Sequence, residues 1–472
     1  MSGRGPAGAS PSLVVPGRRL GGLLLLACFP GCVSYAPDPL DPPVELRLLL
    51  ERPATAIAQA PAGPWSTGWF PVAAELVPGD GLSLAEANAI ALFHSPEVRA
   101  SRAEAGVAGA QVLQAGLLAN PELFLGPRIS TQDSKLIFPA GISWDVPLWG
   151  TRSAARDLAE ARRDELALRA LEVEVETLGR VRESYARLSR LQKEEEVLAA
   201  VATASDRLVT WVEGLQRAGG VDSVSSFLAR AERDEAAIEL EQVRRATTTV
   251  RRELFLLLGL LPNAAVSPVF DVASSTTPEL PPASTEALLQ RPSLKAAEAA
   301  YAAADATLRR EIARQYPTFR LGPEFESDRG ESSLGIGLGI SLPWFDRNQG
   351  GIAAAELARA AARDRYRTEL LAASHAEARA RDDLEAAQRL LEIHNRGAVP
   401  AAEQAAQTLT TRLEAGRADV LEILTAQRAI ARVRTRALEI EEQLMVARVR
   451  AAVAGGLAWE GSAAATNEEK RP

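Results

Sequence analysis

From Leu334 to Leu342 the chain alternates Leu334, Ile336, Leu338, Ile340 and Leu342 with Gly335, Gly337, Gly339 and Ser341. Successive side chains of a strand point to opposite faces, so this stretch predicts a strand with one aliphatic face and one face of minimal side chains. On either side lie long helical stretches rich in Ala, Arg, Leu and Glu, with too few other strands to build a water-soluble sandwich. A strand in a barrel wall fits instead, aliphatic outward to lipid and small or polar inward. Pro343, Trp344 and Phe345 then stand where an interfacial aromatic belongs.

The pattern occurs twice. Pro96 and Pro292, Pro121 and Pro317, Pro127 and Pro323, and Pro147 and Pro343 each stand 196 residues apart. Four coincident offsets predict a tandem duplication, each half running helix, strand, strand, long helix, tight turn, helix. The predicted strands are about 122–131 and 136–148 in the first half, and about 318–327 and 332–344 in the second. Each meets or slightly exceeds the ~9–11 residues that a tilted strand needs to cross a bilayer. Four strands cannot close a barrel, which needs about eight or more, so they must be pooled between subunits. A trimer giving twelve strands is the simplest solution.

After Trp149, helical text runs without proline to Arg217, a length of ~100 Å at ~1.5 Å per residue. Its return helix spans about Asp222 to Leu260. The second half offers about Gly351 to Ala415, interrupted at Asn395–Pro400, where Gly397 and Pro400 must end or kink the helix. Its return runs from about Asp419 to Ala454. The expected fold is therefore mainly α with a small β part: long helical hairpins plus four transmembrane strands per chain. Repeat 1 covers 82–262 with a hairpin tip at about 217–222, a linker covers 263–283, and repeat 2 covers 284–456 with a tip at about 414–419. Ser83 and Glu86 predict a capping box at the start of the first repeat.

Composition narrows the function. A net charge of −8 with no clustered basic face gives no case for nucleic-acid binding. Both cysteines, Cys28 and Cys32, fall in the first 32 residues, which excludes a disulfide framework or a cysteine metal site in the mature fold. Arg18 and Arg19 precede the apolar run Leu20–Ala27, an export signal. A cysteine at the end of such a run suggests acylation and an outer-membrane lipid anchor. Leu25-Leu26-Ala27-Cys28 is the better lipobox by itself. Gly31 before Cys32, with Val33-Ser34-Tyr35-Ala36-Pro37 after it, favours Cys32 as the lipidated residue, so residues 1–31 are read as signal. An ordinary cleaved signal with incidental cysteines is the blander reading. Residues 32–81, rich in Pro and Ala, predict an extended segment, and 457–472 a flexible tail. His94, His375 and His394 stand alone, without metal-ligand spacing, and no nucleophile, base or cofactor motif is present. Gly335, Gly337 and Gly339 alternate at strand period, unlike a phosphate-binding loop.

The two hairpin tips share a pattern, Gly219-Gly220-Val221-Asp222 and Gly416-Arg417-Ala418-Asp419. Glycine permits the positive φ that ends one helix, and aspartate caps the next. The segment Ala415 to Arg428 resembles the hairpin-tip signature of the TolC-like outer-membrane efflux factors. Gln114 to Leu123 is similar to the segment leading into the first strand in the heavy-metal branch of that family, and the resemblance spans roughly 82–456. It implies a homotrimer with a twelve-stranded barrel in the outer membrane of a Gram-negative bacterium and a periplasmic helical tunnel. It further implies docking to a periplasmic adaptor and an inner-membrane pump of the RND type, with the tip residues Gly219, Asp222, Gly416 and Asp419 as the meeting place. Glu422 falls where the family places the first of two acidic gate residues, and Thr425 occupies the second. Arg417 stands one place after the tip glycine, where the family pattern has a basic residue two places after. The cargo implied is heavy-metal cations, although nothing in the chain itself signals metal binding. The competing expectation is a lipid-anchored periplasmic coiled-coil scaffold without a pore.

Overall fold

The computed structural model describes residues 33, 35–50, 81–126, 128–129, 136–264, 268, 284–328, 331–414 and 419–456. Two units divide the chain, Met1–Glu51 and Arg52–Pro472. In the first, helix α1 (Pro42–Leu50) replaces the extended conformation expected there. Asp41 Oδ1 accepts a hydrogen bond from the Val44 N–H at 3.3 Å, and Pro42 opens the helix, a position where its missing N–H costs nothing. Cys28 and Cys32 lie outside the described residues, as do 51–80 and 457–472.

The second unit opens with α2 (Leu84–His94) and α3 (Pro96–Gly116). The expected capping box is present: the Glu86 N–H donates to Ser83 Oγ, and the Ser83 N–H donates to Glu86 Oε2 at 2.7 Å. Strands β1 (Glu122–Leu125), β2 (Arg128–Ile129) and β3 (Leu136–Val146) follow, then the hairpin of α4 (Thr151–Arg217) and α5 (Ser223–Leu257). After α6 (Thr285–Leu289), the order recurs as α7 (Pro292–Ala313), β4 (Phe319–Asp328), β5 (Glu331–Ile340) and α8 (Gln349–Ile393). A π-helical turn, His394–Ala398, then leads to α9 (Val399–Glu414) and α10 (Val420–Ala454). Pro96 and Pro292 each stand in the first turn of a helix, as their shared offset anticipates.

Three boundaries differ from expectation. The strand expected over 122–131 is described as β1 and β2, both paired with β3, with 127, 130 and 131 outside the described residues. The strands expected to reach 148 and 344 stop at Val146 and Ile340. Beyond them Leu148 and Trp344 turn back onto the carbonyls of Val146 and Leu342, because Pro147 and Pro343 cannot continue the pairing. Trp149 (φ 63°), Gly150 (φ 72°) and Asn348 (φ 57°) then take left-handed conformations that swing the chain into α4 and α8. The interruption expected at 395–400 is a π-turn rather than a break.

The main core joins α2, α4 and α5 through Ile90, Leu178, Leu188, Leu254, Phe255 and Leu258, with Ala452 of α10 packed against them. Tyr185 Oη donates to the Leu82 carbonyl at 2.9 Å inside this core. Beside it, Arg102 of α3 ties two elements at once: Nε donates to Glu174 Oε1 of α4 at 2.6 Å, and Nη1 to the Leu92 carbonyl of α2 at 2.7 Å. The strands form one antiparallel sheet in the order β1-β3-β4-β5, with β2 extending the β1 edge along β3.

Candidate functional site

The β3–β4 pair joins the two halves, and the register sorts the whole sheet into two faces. Across it, Phe319 stands opposite Ile340, Leu321 opposite Leu338, Pro323 opposite Ile336 and Phe325 opposite Leu334. On the same face β3 contributes Ala140, Trp144 and Val146, and β1 contributes Leu123 and Leu125. This face is bare: Leu334 is 80% exposed and Leu338 69%. A continuous aliphatic and aromatic surface of this size has no place in water.

The opposite face is mostly small and charged. It carries Glu122, Ser143, Asp145, Arg320, Glu324, Glu326 and Ser333, interleaved with Gly141, Gly322, Gly335, Gly337 and Gly339, and the Phe124 ring lies over Gly141. Arg320 Nε donates across the half-to-half junction to Asp145 Oδ1 at 3.0 Å. The Glu324 carboxylate lies over Gly337, where a Cβ would come 2.3 Å from Oε1. Gly322 allows the closest approach of the two halves: a Cβ there would sit 1.6 Å from the Ile142 carbonyl oxygen, so no other residue fits.

Where the sheet meets the helices, aromatic residues collect. Trp149 stacks on Tyr316 with ring centroids 5.7 Å apart, and Trp144 Nε1 donates to the Ala119 carbonyl at 2.9 Å. Trp344 and Phe345 are exposed at the same level of the second half. This is the distribution of an interfacial collar.

At the far ends of the hairpins, Gly219 (φ 75°) ends α4, and Asp222 caps α5 by accepting from the Ser225 N–H at 2.9 Å. That bond holds the Asp222 carboxyl below the usual carboxylate range. Asp419 caps α10 in a capping box with Glu422. Gly416 and Arg417 lie outside the described residues. Glu422 does not stand free: its Oε1 accepts from Arg412 Nη1 of α9 at 2.6 Å. Thr425 spends its hydroxyl on the Leu421 carbonyl at 2.8 Å. Two further links escape sequence reasoning. Leu208, Val209 and Val212 of α4 bury Val420, Ile423 and Leu424 of α10, and the buried Glu232 of α5 pairs with Arg428 of α10. The partners lie some 200 residues apart, and nothing local marks them.

A two-faced sheet on long helical hairpins is the arrangement that the comparisons with known proteins repeat. The model of the outer membrane efflux protein family matches residues 89–260 and again 283–456. The chain belongs to this family. It is 28% identical over 408 residues to the cobalt-zinc-cadmium resistance protein CzcC of Cupriavidus metallidurans, covering 84% of this chain and 94% of that one. The fold is that of the outer membrane protein VceC of Vibrio cholerae, with a TM-score of 0.67 and 21% identity, covering 80% of this chain and 97% of the other. It is also that of CusC, with a TM-score of 0.70 and 18% identity, covering 90% and 100%. In this efflux protein no described helix is long and apolar enough to cross a membrane. Among the described residues no group of three or more His, Cys, Asp or Glu is arranged to hold a metal ion. His394 is buried and bonded through Nε2 to the Val433 carbonyl at 3.1 Å, a packing role.

Proposed function

We propose that the protein is the outer-membrane channel of a tripartite efflux system, a passive duct whose energy comes from an inner-membrane pump of the RND type reached through a periplasmic adaptor. The observation that carries this is the two-faced sheet. β3, β4 and β5, ten or eleven residues each, span ~33–36 Å at ~3.3 Å per residue, enough to cross a ~30 Å hydrocarbon core with tilt. The bare aliphatic face meets lipid and the charged face meets water. The β1/β2 edge and the β5 edge each have an unpaired side in the single chain, and a closed ring of copies removes both. Three copies supply twelve strands, and the tandem duplication of each chain supplies the matching hairpins below.

The cargo in this reading is heavy-metal cations, in keeping with the name of CzcC. They pass through a duct that holds no resident metal. Cys32, with Cys28 as the alternative, carries a lipid anchor in the outer membrane. The tips around Gly219, Asp222, Gly416 and Asp419 meet the adaptor, and Glu422 with Arg417 sits at the gate.

Planar-bilayer recording of the purified protein tests the duct, with Glu422→Ala beside wild type. Stepwise currents that grow in the variant support a pore gated at the second tip. Silent bilayers from a monomeric protein would leave the lipid-anchored scaffold as the better account.

A further inference from the structure

The π-turn His394–Ala398 has a cause in the residue count. Up to the end of the strands the halves keep their 196-residue offset, Trp149 against Phe345. At the tips Gly219 stands against Gly416 and Asp222 against Asp419, an offset of 197. One residue has been added between. The buried stripe of the second hairpin locates it. Ala373, Ala380, Ala387 and His394 are buried at seven-residue intervals, with Glu377, Leu384, Leu391 and Ala398 half-buried between them. Continuing that rhythm would turn 401, 405 and 408 inward. Instead Ala402, Ala406 and Leu409 are half-buried, and Ala401, Ala405 and Thr408 are exposed. The stripe skips one residue at the π-turn, whose wider winding absorbs the insertion and returns α9 to the same face. Pro400 suits this site, because it has no N–H for the Arg396 carbonyl and would strain an ordinary α-turn.

α9 is also the most lightly held part of the hairpin. None of residues 399–412 is buried. A cavity of about 680 Å³ lies between α9 (Val399, Ala402, Ala406), α10 (Ile430, Val433) and α4 (Val197). The lower end of α10, in contrast, is buried against α4 through Val420, Ile423 and Leu424. At its top α9 is pinned by the bond between His394 and the Val433 carbonyl, and at its bottom by Leu409 and the ion pair of Arg412 with Glu422.

We propose that α9 is a hinged strap that turns on the π-turn, is latched by Arg412 and Glu422, and shifts against α4 and α10 when the lower end of the channel opens. The last clause rests on the channel reading; the hinge and latch do not.

Two readouts on the full-length protein separate them. Hydrogen exchange followed by mass spectrometry reads the strap itself: amides of 401–412 exchange at least ~tenfold faster than those of α4 at 197–212. Arg412→Gln speeds them further. Deletion of Gly397 together with Pro400→Ala, which removes the added residue and restores the missing N–H so that the α-helix runs on with the stripe in phase, slows them by ~tenfold while α4 is unchanged. Pro400→Ala alone, which supplies the missing N–H without altering the length, moves exchange the same way and guards against a deletion that fails to fold. Equal protection of α9 and α4, or exchange indifferent to both hinge variants, overturns the proposal. In planar bilayers Arg412→Gln raises the open fraction and the Gly397 deletion with Pro400→Ala cancels that rise; a rise that survives the deletion overturns the role in opening. No current from any variant, with the exchange pattern intact, would instead count against the channel and leave the strap standing.

Discussion

Removing Arg102 tests the helical core most sharply, because Glu174 has no exposed side-chain surface and its second oxygen has no hydrogen-bond partner. Arg102→Ala strands a buried carboxylate, a change that costs about 3–5 kcal/mol when one side of a buried pair is lost. The carboxyl can escape part of that cost by taking a proton. Burial already raises its pKa, and Arg102 pulls against the rise, so removing the guanidinium pushes it higher. The sign follows: a native pKa above the unfolded one means that the folded state binds the extra proton, so stability is fullest at low pH and is lost as pH rises through the native pKa. Urea titrations of the purified protein, followed by far-ultraviolet circular dichroism, are run at about pH 5 and about pH 8. The midpoint falls in Arg102→Ala, and it falls further at the higher pH. Adding Glu174→Gln to Arg102→Ala recovers most of the loss at the higher pH. An equal loss at both pH values, or no recovery in the double variant, would refute the reasoning.

Two other outcomes follow from the sheet. Gly322→Val drives a side chain into the Ile142 carbonyl, so the β3–β4 junction opens and the heat-modifiable band expected of the proposed ring is lost from gels; a band equal to that of wild type contradicts the registered contact. Leu338→Arg places a charge on the face proposed to meet lipid, at a cost of ~2–4 kcal/mol near the bilayer midplane, and lowers the amount inserted in outer membranes. Gly339→Ser on the other face, where a Cβ meets only Arg320 at 3.5 Å, leaves insertion unchanged.

How much of this was legible depended on whether the information was local. The two faces of β5 could be read directly, since alternation is a property of neighbours, and the capping residues Ser83, Asp222 and Asp419 act within three residues of themselves. The strand ends were overrun because the aliphatic pattern continues to Leu342 while the pairing stops at Ile340, where Thr318, not a strand residue, receives Ser341. Helix α1 was missed because a nine-residue segment shows too few turns for a period. The π-turn was seen only as an interruption, although the shift from 196 to 197 already encoded the added residue. What could not be read were the long-range pairs: Arg428 with Glu232, and the packing of Val420 and Ile423 on Val209, depend on how the two hairpins lie side by side.

The charged face of the sheet carries the last consequence. Among the described side chains, each chain presents Glu122, Asp145, Glu324 and Glu326 there against Arg320, and Asp145 is already matched by that guanidinium at 3.0 Å. In the proposed closed ring, Glu122, Glu324 and Glu326 contribute to the field in the lumen, and the low-dielectric wall concentrates it. Glu324 stands at the centre of its strand with its carboxylate over Gly337, while the Phe124 ring covers its β3 neighbour Gly141, so in that ring it weighs heavily on a passing ion. Glu324→Gln removes one of these carboxylate charges, and Arg320→Gln adds to them by releasing Asp145. Under a salt gradient across a planar bilayer, the reversal potential of Glu324→Gln moves toward the non-selective value and that of Arg320→Gln moves away from it. Both effects shrink as salt rises and screening shortens. Opposite movements of the two variants are the diagnostic, since a change in pore width alone would shift both the same way; reversal potentials that stay at the wild-type value in both would place the selecting charges below the barrel, among the helices.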